Sequence, residues 1–214
     1  MDQPVVSWGV PHAERADAER ADAARNRRHL LATARQMLAE QRPDTLTMDA
    51  LAERAGLGKG TVFRRFGTRA GIFAALLDDD EEAFQQQVLA GPPPLGPGAA
   101  PLDRLIAYGR ARTGFLIDHC DIARAALDGH QPIPAGSQTP MSQTHIRMLL
   151  GQMGLGCADL DMLAVQLTAA LDGPLLLYLS APDPAATRQT VERIARSWQD
   201  LVQRVCRADQ GLAG

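Results

Sequence analysis

Between Thr47 and Phe66 the apolar positions fall into two short helical repeats, separated by Ala55-Gly56-Leu57. Glycine at such a break can take the left-handed backbone conformation that other residues resist. In the second repeat Val62 and Phe66 stand one turn apart and form a buried stripe, which leaves Lys59, Thr61, Arg64 and Arg65 pointing outward. Leu30, Leu31, Ala34, Met37 and Leu38 keep helical spacing upstream, and Ile72, Phe73, Leu76 and Leu77 open a long helix after Arg69. Both segments are expected to pack on the two motif helices. Gly91-Pro92-Pro93-Pro94-Leu95-Gly96-Pro97-Gly98 ends that long helix. Helical patterns resume over about 101–120, 121–129, 140–153, 159–181 and 184–208, the last opened by Asp183 as N-cap and Pro184 at the first helical position.

This pattern predicts an all-α chain: an N-terminal helical domain with a helix-turn-helix over 25–70, then a C-terminal helical bundle over 71–208, to which the family resemblance given below assigns DNA binding by three helices and ligand binding with dimerisation, respectively. A composition rich in Leu and Ala with only 4% aromatics suits helix packing, and 45% hydrophobic residues suffice for a core. Residues 209–214 are read as a disordered tail. Residues 1–24 are read as a flexible extension, disordered or loosely helical. In it Ala13-Glu14-Arg15-Ala16-Asp17 recurs as Ala18-Glu19-Arg20-Ala21-Asp22, and such a polar tract cannot bury a core face. An alternative makes it an arm whose Arg15, Arg20 and Arg25 enter a minor groove, but Glu14, Asp17, Glu19 and Asp22 oppose that.

Charge sharpens the picture. Residues 25–77 hold ten basic and four acidic side chains, a net of +6, whereas residues 78–214 hold ten arginines and sixteen carboxylates, a net of −6. The overall −3 therefore hides a basic head on an acidic body, and the asymmetry favours a polyanion partner for the head. Of the 22 basic residues only Lys59 is a lysine, and it lies in the second repeat. Arg64 and Arg65 are candidates to grip guanine O6 and N7 in a major groove. Lys59 and Thr61 would hold the sugar-phosphate strand, while Gly58 and Gly60 keep the helix start bare so that its free N–H groups can approach a phosphate. Thr47 caps the first motif helix and offers a second backbone contact.

The run Thr47-Met48-Asp49-Ala50-Leu51-Ala52-Glu53-Arg54-Ala55-Gly56-Leu57, continued by Gly58-Lys59-Gly60-Thr61-Val62-Phe63-Arg64-Arg65-Phe66 and Thr68-Arg69-Ala70-Gly71-Ile72-Phe73, resembles the DNA-binding domain of the TetR family of transcriptional regulators. The resemblance covers residues 25–77. It implies an all-helical homodimer, three N-terminal helices on DNA, a C-terminal domain for a small-molecule effector, and repression relieved by that effector. It also implies that Arg69, standing where the family has Lys, holds phosphate. The chain departs from the family at Gly58 for Ser, Phe63 for Tyr and Arg65 for His. Phe63 lacks the hydroxyl that would reach a phosphate, and Arg65 adds a donor.

The expected partner is therefore double-stranded DNA carrying a palindromic operator, read by two recognition helices one helical turn apart. Val191, Ile194, Trp198, Leu201 and Val205 repeat at alternating three and four residues, and with Leu175 on the preceding helix they are the expected dimer interface, although such a stripe also suits an ordinary core. Candidate ligand-binding residues are Tyr108, Arg112, His145, Asp172 and Tyr178, with a kink at Gly173-Pro174 as a pocket wall. Arg112 is expected to pair with Asp172 or Asp118, and His119 to satisfy carbonyls at a helix end.

Gly56-Leu57-Gly58-Lys59-Gly60-Thr61 fits neither a Walker A loop nor a dinucleotide fingerprint, so no nucleotide cofactor is expected. His119, Cys120 and His130 lack common zinc spacing, and no Ser, His and Asp set suggests catalysis. Cys120, Cys157 and Cys206 are widely spaced and odd in number, no apolar run spans a membrane, and the start lacks signal-peptide character. A cytoplasmic, non-enzymatic regulator follows. The alternatives are a DNA-binding regulator with no small-molecule effector and, more remotely, an enzyme on a helical bundle.

Overall fold

The computed structural model describes residues 12–40, 43–127, 140–156, 159–180 and 188–208. Among these are α1 (His12–Glu40), a 3₁₀ turn at Pro43–Thr45, α2 (Met48–Ala55), α3 (Lys59–Phe66), α4 (Arg69–Ala90), α5 (Pro101–Asp118), α6 (Cys120–Ala126), α7 (Pro140–Gln152), α8 (Leu160–Ser180) and α9 (Arg188–Ala208), and no strand. The chain divides into two units, Met1–Ile72 and Phe73–Gly214, with the division inside α4. The Asp183 and Pro184 cap lies outside the described residues.

In the first unit α2 packs against α1 and α3. Leu30, Leu31, Leu46, Leu51, Val62 and Ile72 are fully enclosed. Thr47 Oγ accepts from Ala50 N at 3.1 Å, satisfying one of the donors a helix start leaves open. Gly56 ends α2 at φ 64°, where Gly56 N donates to Glu53 O at 3.1 Å and Leu57 N to Ala52 O at 3.0 Å. That pattern closes the helix and starts the turn into α3. His29 Nε2 donates to Ala55 O at 3.0 Å and holds the same corner from α1.

From His12 the N-terminal tract is helical and runs unbroken into the segment that carries Leu30 and Leu31. Alanine-rich sequence favours the helix, and the repeat places Asp17 beside Arg20 and Asp22 beside Arg25 at i,i+3, where both pairs form.

In the second unit α5 lies against α7, α8 and α9, and α7 against α8. Phe84, Leu105, Tyr108, Leu149, Leu167 and Trp198 are part of one core. Trp198 Nε1 donates to Leu105 O at 3.0 Å. Gly109, one turn along α5, leaves room for the indole: a Cβ there would sit 1.9 Å from Nε1. The stripe expected at a dimer interface is unevenly buried within the chain itself. Trp198 is 4% exposed and faces α5 of its own chain together with Ala195 and Val202, while Val191, Ile194 and Val205 are half-buried and Leu201 is exposed. The side chain of Leu175 lies outside the described residues.

Candidate functional site

Helix α3 begins at Gly58, an N-cap without a side-chain hydrogen bond, and ends at Gly67 with φ 70°. Val62 is its one fully buried side chain and Phe66 is half-buried, so the helix rests on the first unit through a single stripe. Gly58, Lys59, Gly60, Phe63, Arg64 and Arg65 are exposed and Thr61 is half-exposed. Phe63 is 65% exposed, an unusual position for a phenyl ring. Lys59 Nζ meets Asp49 Oδ2 at 2.8 Å, but both side chains are more than two-thirds solvated, so the pair holds Lys59 only weakly. A Cβ at Gly58 or at Gly60 would find no atom of the protein within 4 Å, so nothing inside the chain requires glycine there.

Beside α3 runs a cleft of about 460 Å³ lined by Glu19, Asp22, Ala23 and Asn26 of α1 and by Thr61, Arg64 and Arg65. Arg65 donates to Ala23 O at 3.1 Å across it. The carboxylates of the N-terminal repeat thus stand next to the cations of α3.

Arg69, the residue for which the resemblance implies a phosphate contact, is half-buried and bonded within the first unit. Its Nε donates to Leu46 O and its Nη2 to Pro43 O, both at 2.7 Å, tying the start of α4 to the turn before α2. Thr68 Oγ caps α4 by accepting from Gly71 N at 3.0 Å, and Gly71 sits so close to Phe66 O that a Cβ would lie 1.9 Å from it.

Within the second unit the expected ligand residues do converge, with different partners. Tyr108 donates to Ser142 Oγ at 2.6 Å and its ring lies 4.9 Å from that of His145. Arg112 is paired with Glu81 at 2.5 Å, not with Asp172 or Asp118, and its guanidinium stands 5.7 Å from the Phe84 ring centre and 5.3 Å from that of Phe115. Asp172 lies in the field of Arg112 and Glu81, and burial raises its carboxyl above the ordinary range. The Tyr178 side chain lies outside the described residues. His119 donates through Nδ1 to Phe115 O at 2.7 Å and stands 3.3 Å from Asp80 through Nε2. Sequence reasoning missed Arg104, Glu81 and Ser142, all buried.

Burial first, and then the charge of Arg104, lower the His145 pKa to about 4. The unfolded ring titrates near 6.5. Between those values the unfolded chain binds the extra proton, so stability rises with pH through this window and is lost as pH falls from about 6.5 towards 4. The expected loss is on the order of 3 kcal/mol from this group. Urea midpoints measured at pH 7 and pH 4.5 should differ accordingly, and His145→Phe should shrink the difference.

Comparison with known proteins fits the helix-turn-helix geometry. The model for bacterial regulatory proteins of the tetR family matches residues 30–76. Residues 30–76 therefore carry a tetR-family DNA-binding domain. Solved structures of similar fold include a tetR-family candidate regulator from Mesorhizobium loti MAFF303099, 16% identical, covering 86% of this chain and 97% of its own, with a TM-score of 0.56. A tetR/acrR-family regulator from Thermobifida fusca YX-ER1 is 19% identical, with coverages of 81% and 96% and a TM-score of 0.56. A third, from Pseudomonas syringae pv. tomato, is 20% identical, with coverages of 82% and 94% and a TM-score of 0.52. No curated protein matches. Among the described residues no helix is long and apolar enough to cross a membrane, and no cluster of His, Cys, Asp or Glu has metal-site geometry. The tetR match ends at 76, so the second unit must be read from its own residues.

Proposed function

We propose that this tetR-family DNA-binding regulator acts as a homodimeric repressor that reads a palindromic operator through α3 and leaves it when a small molecule binds in the C-terminal unit. The observation that carries the DNA-reading part is the lopsided burial of α3: one buried valine, with Lys59, Phe63, Arg64 and Arg65 displayed to solvent. Long donors on an exposed helix of +3 charge match the acceptors of a major groove and the phosphates that border it. Two glycines that no intramolecular contact demands let the first free amides of α3 approach a phosphate closely. Phe63, in place of a tyrosine, offers the DNA an apolar face such as a thymine methyl accepts.

Dimerisation draws support from Met162 and Val165 on α8 and Leu201 on α9, exposed apolar side chains that a second copy would cover. Effector binding draws support from the polar cluster inside the second unit. Arg64 and Arg65 read bases, and Lys59, Thr61 and the start of α3 hold the backbone.

Selection from random duplexes, followed by salt-titrated binding, tests this division. Arg64→Ala and Arg65→Ala should abolish preference for the selected site, at a cost of about 1–3 kcal/mol for each bidentate grip on a base edge. Lys59→Ala should weaken all duplexes alike and lower the salt slope by about 1. Identical behaviour of the three variants would refute the assignment, and failure of the wild type to enrich any sequence would refute the function.

A further inference from the structure

Arg104 stands on α5 one turn before Tyr108 and is only 9% exposed, and its Nε has neither solvent nor a hydrogen-bond partner. Among the described residues no carboxylate pairs with it: Glu81 holds Arg112, Asp80 faces His119, and Asp103 on the same helix is turned to solvent. A guanidinium stays charged at any pH a cell meets, and a buried cation without a counter-ion is costly. Across from it on α7, His145 is 4% exposed, packs its ring on Tyr108, and has an Nε2 that is likewise buried and without a partner. Arg104 and His145 are the chain neighbours of the core residues Leu105 and Ile146 and are themselves buried, so an anion held between them would be partly desolvated and bound the more strongly.

We propose that Arg104 and His145 bind the carboxylate of a small organic acid inside the C-terminal unit, and that this acid is the effector of the repressor reading, on which the regulatory half of the inference rests. The guanidinium offers the carboxylate a charge-assisted bond, and the neutral imidazole donates its one ring N–H. Arg112 lies about 12 Å further along α5, two turns on. Its charge is already met by Glu81, yet its Nε is also buried and unpartnered, so it can donate to an acceptor at the far end of a longer acid. Glu81 and Asp172 near that end disfavour a second negative charge, so the site suits a monocarboxylate better than a phosphate or a dianion.

The test uses the full chain and acetate, the smallest carboxylate after formate, with chloride as control anion and acetamide as uncharged mimic. At roughly 100 mM, acetate should raise the wild-type melting temperature by a few degrees over chloride, and acetamide should not. Arg104→Met, freed of its uncompensated charge, should melt at or above the wild type in chloride and lose the acetate response; Arg104→Lys and His145→Phe should weaken that response and carry the comparison should the methionine variant not fold. Equal wild-type melting in acetate and chloride overturns the carboxylate site, as does an acetate response that survives both Arg104→Met and Arg104→Lys. DNA affinity is measured in the same solutions. Stabilisation by acetate with unchanged DNA affinity keeps the site and rejects its regulatory role.

Discussion

Gly109→Ala will destabilise the second unit by about 3–5 kcal/mol, despite the gain of up to about 1 kcal/mol that alanine brings to a helix interior. The new methyl carbon would lie 1.9 Å from Trp198 Nε1, 2.2 Å from Cε2 and 2.3 Å from Cδ1, and all three belong to a rigid ring with no freedom to fold aside. The indole must leave, and with it goes the hydrogen bond to Leu105 O and much of the packing of α9 on α5. A loss of that size is a large share of the roughly 5–15 kcal/mol that stabilises an ordinary domain. Urea unfolding followed by circular dichroism measures it. Adding Trp198→Leu to Gly109→Ala should recover part of the loss, because the smaller side chain tolerates the methyl. Wild-type stability in Gly109→Ala alone would mean that the close approach does not exist in solution.

Breaking the ion pair between Arg112 and Glu81 should cost a similar amount, about 3–5 kcal/mol for Glu81→Ala. The two side chains are 2% and 8% exposed, so Arg112 would keep its charge between Phe84 and Phe115 with little water to replace the missing carboxylate. Asp172 cannot fully substitute, since it forms no ion pair with Arg112. Removing both partners, as Glu81→Leu with Arg112→Met, leaves no orphaned charge and should cost far less than either single change. A double-mutant cycle in urea separates the two cases. Additive losses would show that the residues do not act as a pair.

How much of the fold and the site is legible in the sequence depends on range. The turn at Gly56 and the burial of Val62 against the exposure of Arg64 follow from spacing within a few residues, and sequence spacing resolves them. The same holds for the end of α4 at Ala90, where glycine and prolines crowd the chain. The partner of Arg112 is hidden because Glu81 sits in the acidic run Asp78 to Glu82, which reads as one solvated face, although a helix turns one of those side chains inward. On α9 two apolar stripes share Trp198, one through Ile194 and Leu201 and one through Ala195 and Val202, and periodicity alone cannot choose between them. A glycine in mid-helix at 109 is the available signal, since it marks a place where something large comes close. The bonds of Arg69 to carbonyls 23 and 26 residues away are beyond the reach of local spacing. The N-terminal repeat lacks a core face, yet its own ion pairs and alanines sustain the helix.

That helix has a consequence for how the protein meets a chromosome. Glu19 and Asp22 flank the cations of α3, so a duplex bound there as proposed would also meet a negative fringe. Repulsion of this kind acts on every phosphate regardless of sequence, while the bonds to base edges act only at the right address. Under the proposed function the fringe would shorten idle stops on bulk DNA and leave the choice among addresses to Arg64 and Arg65.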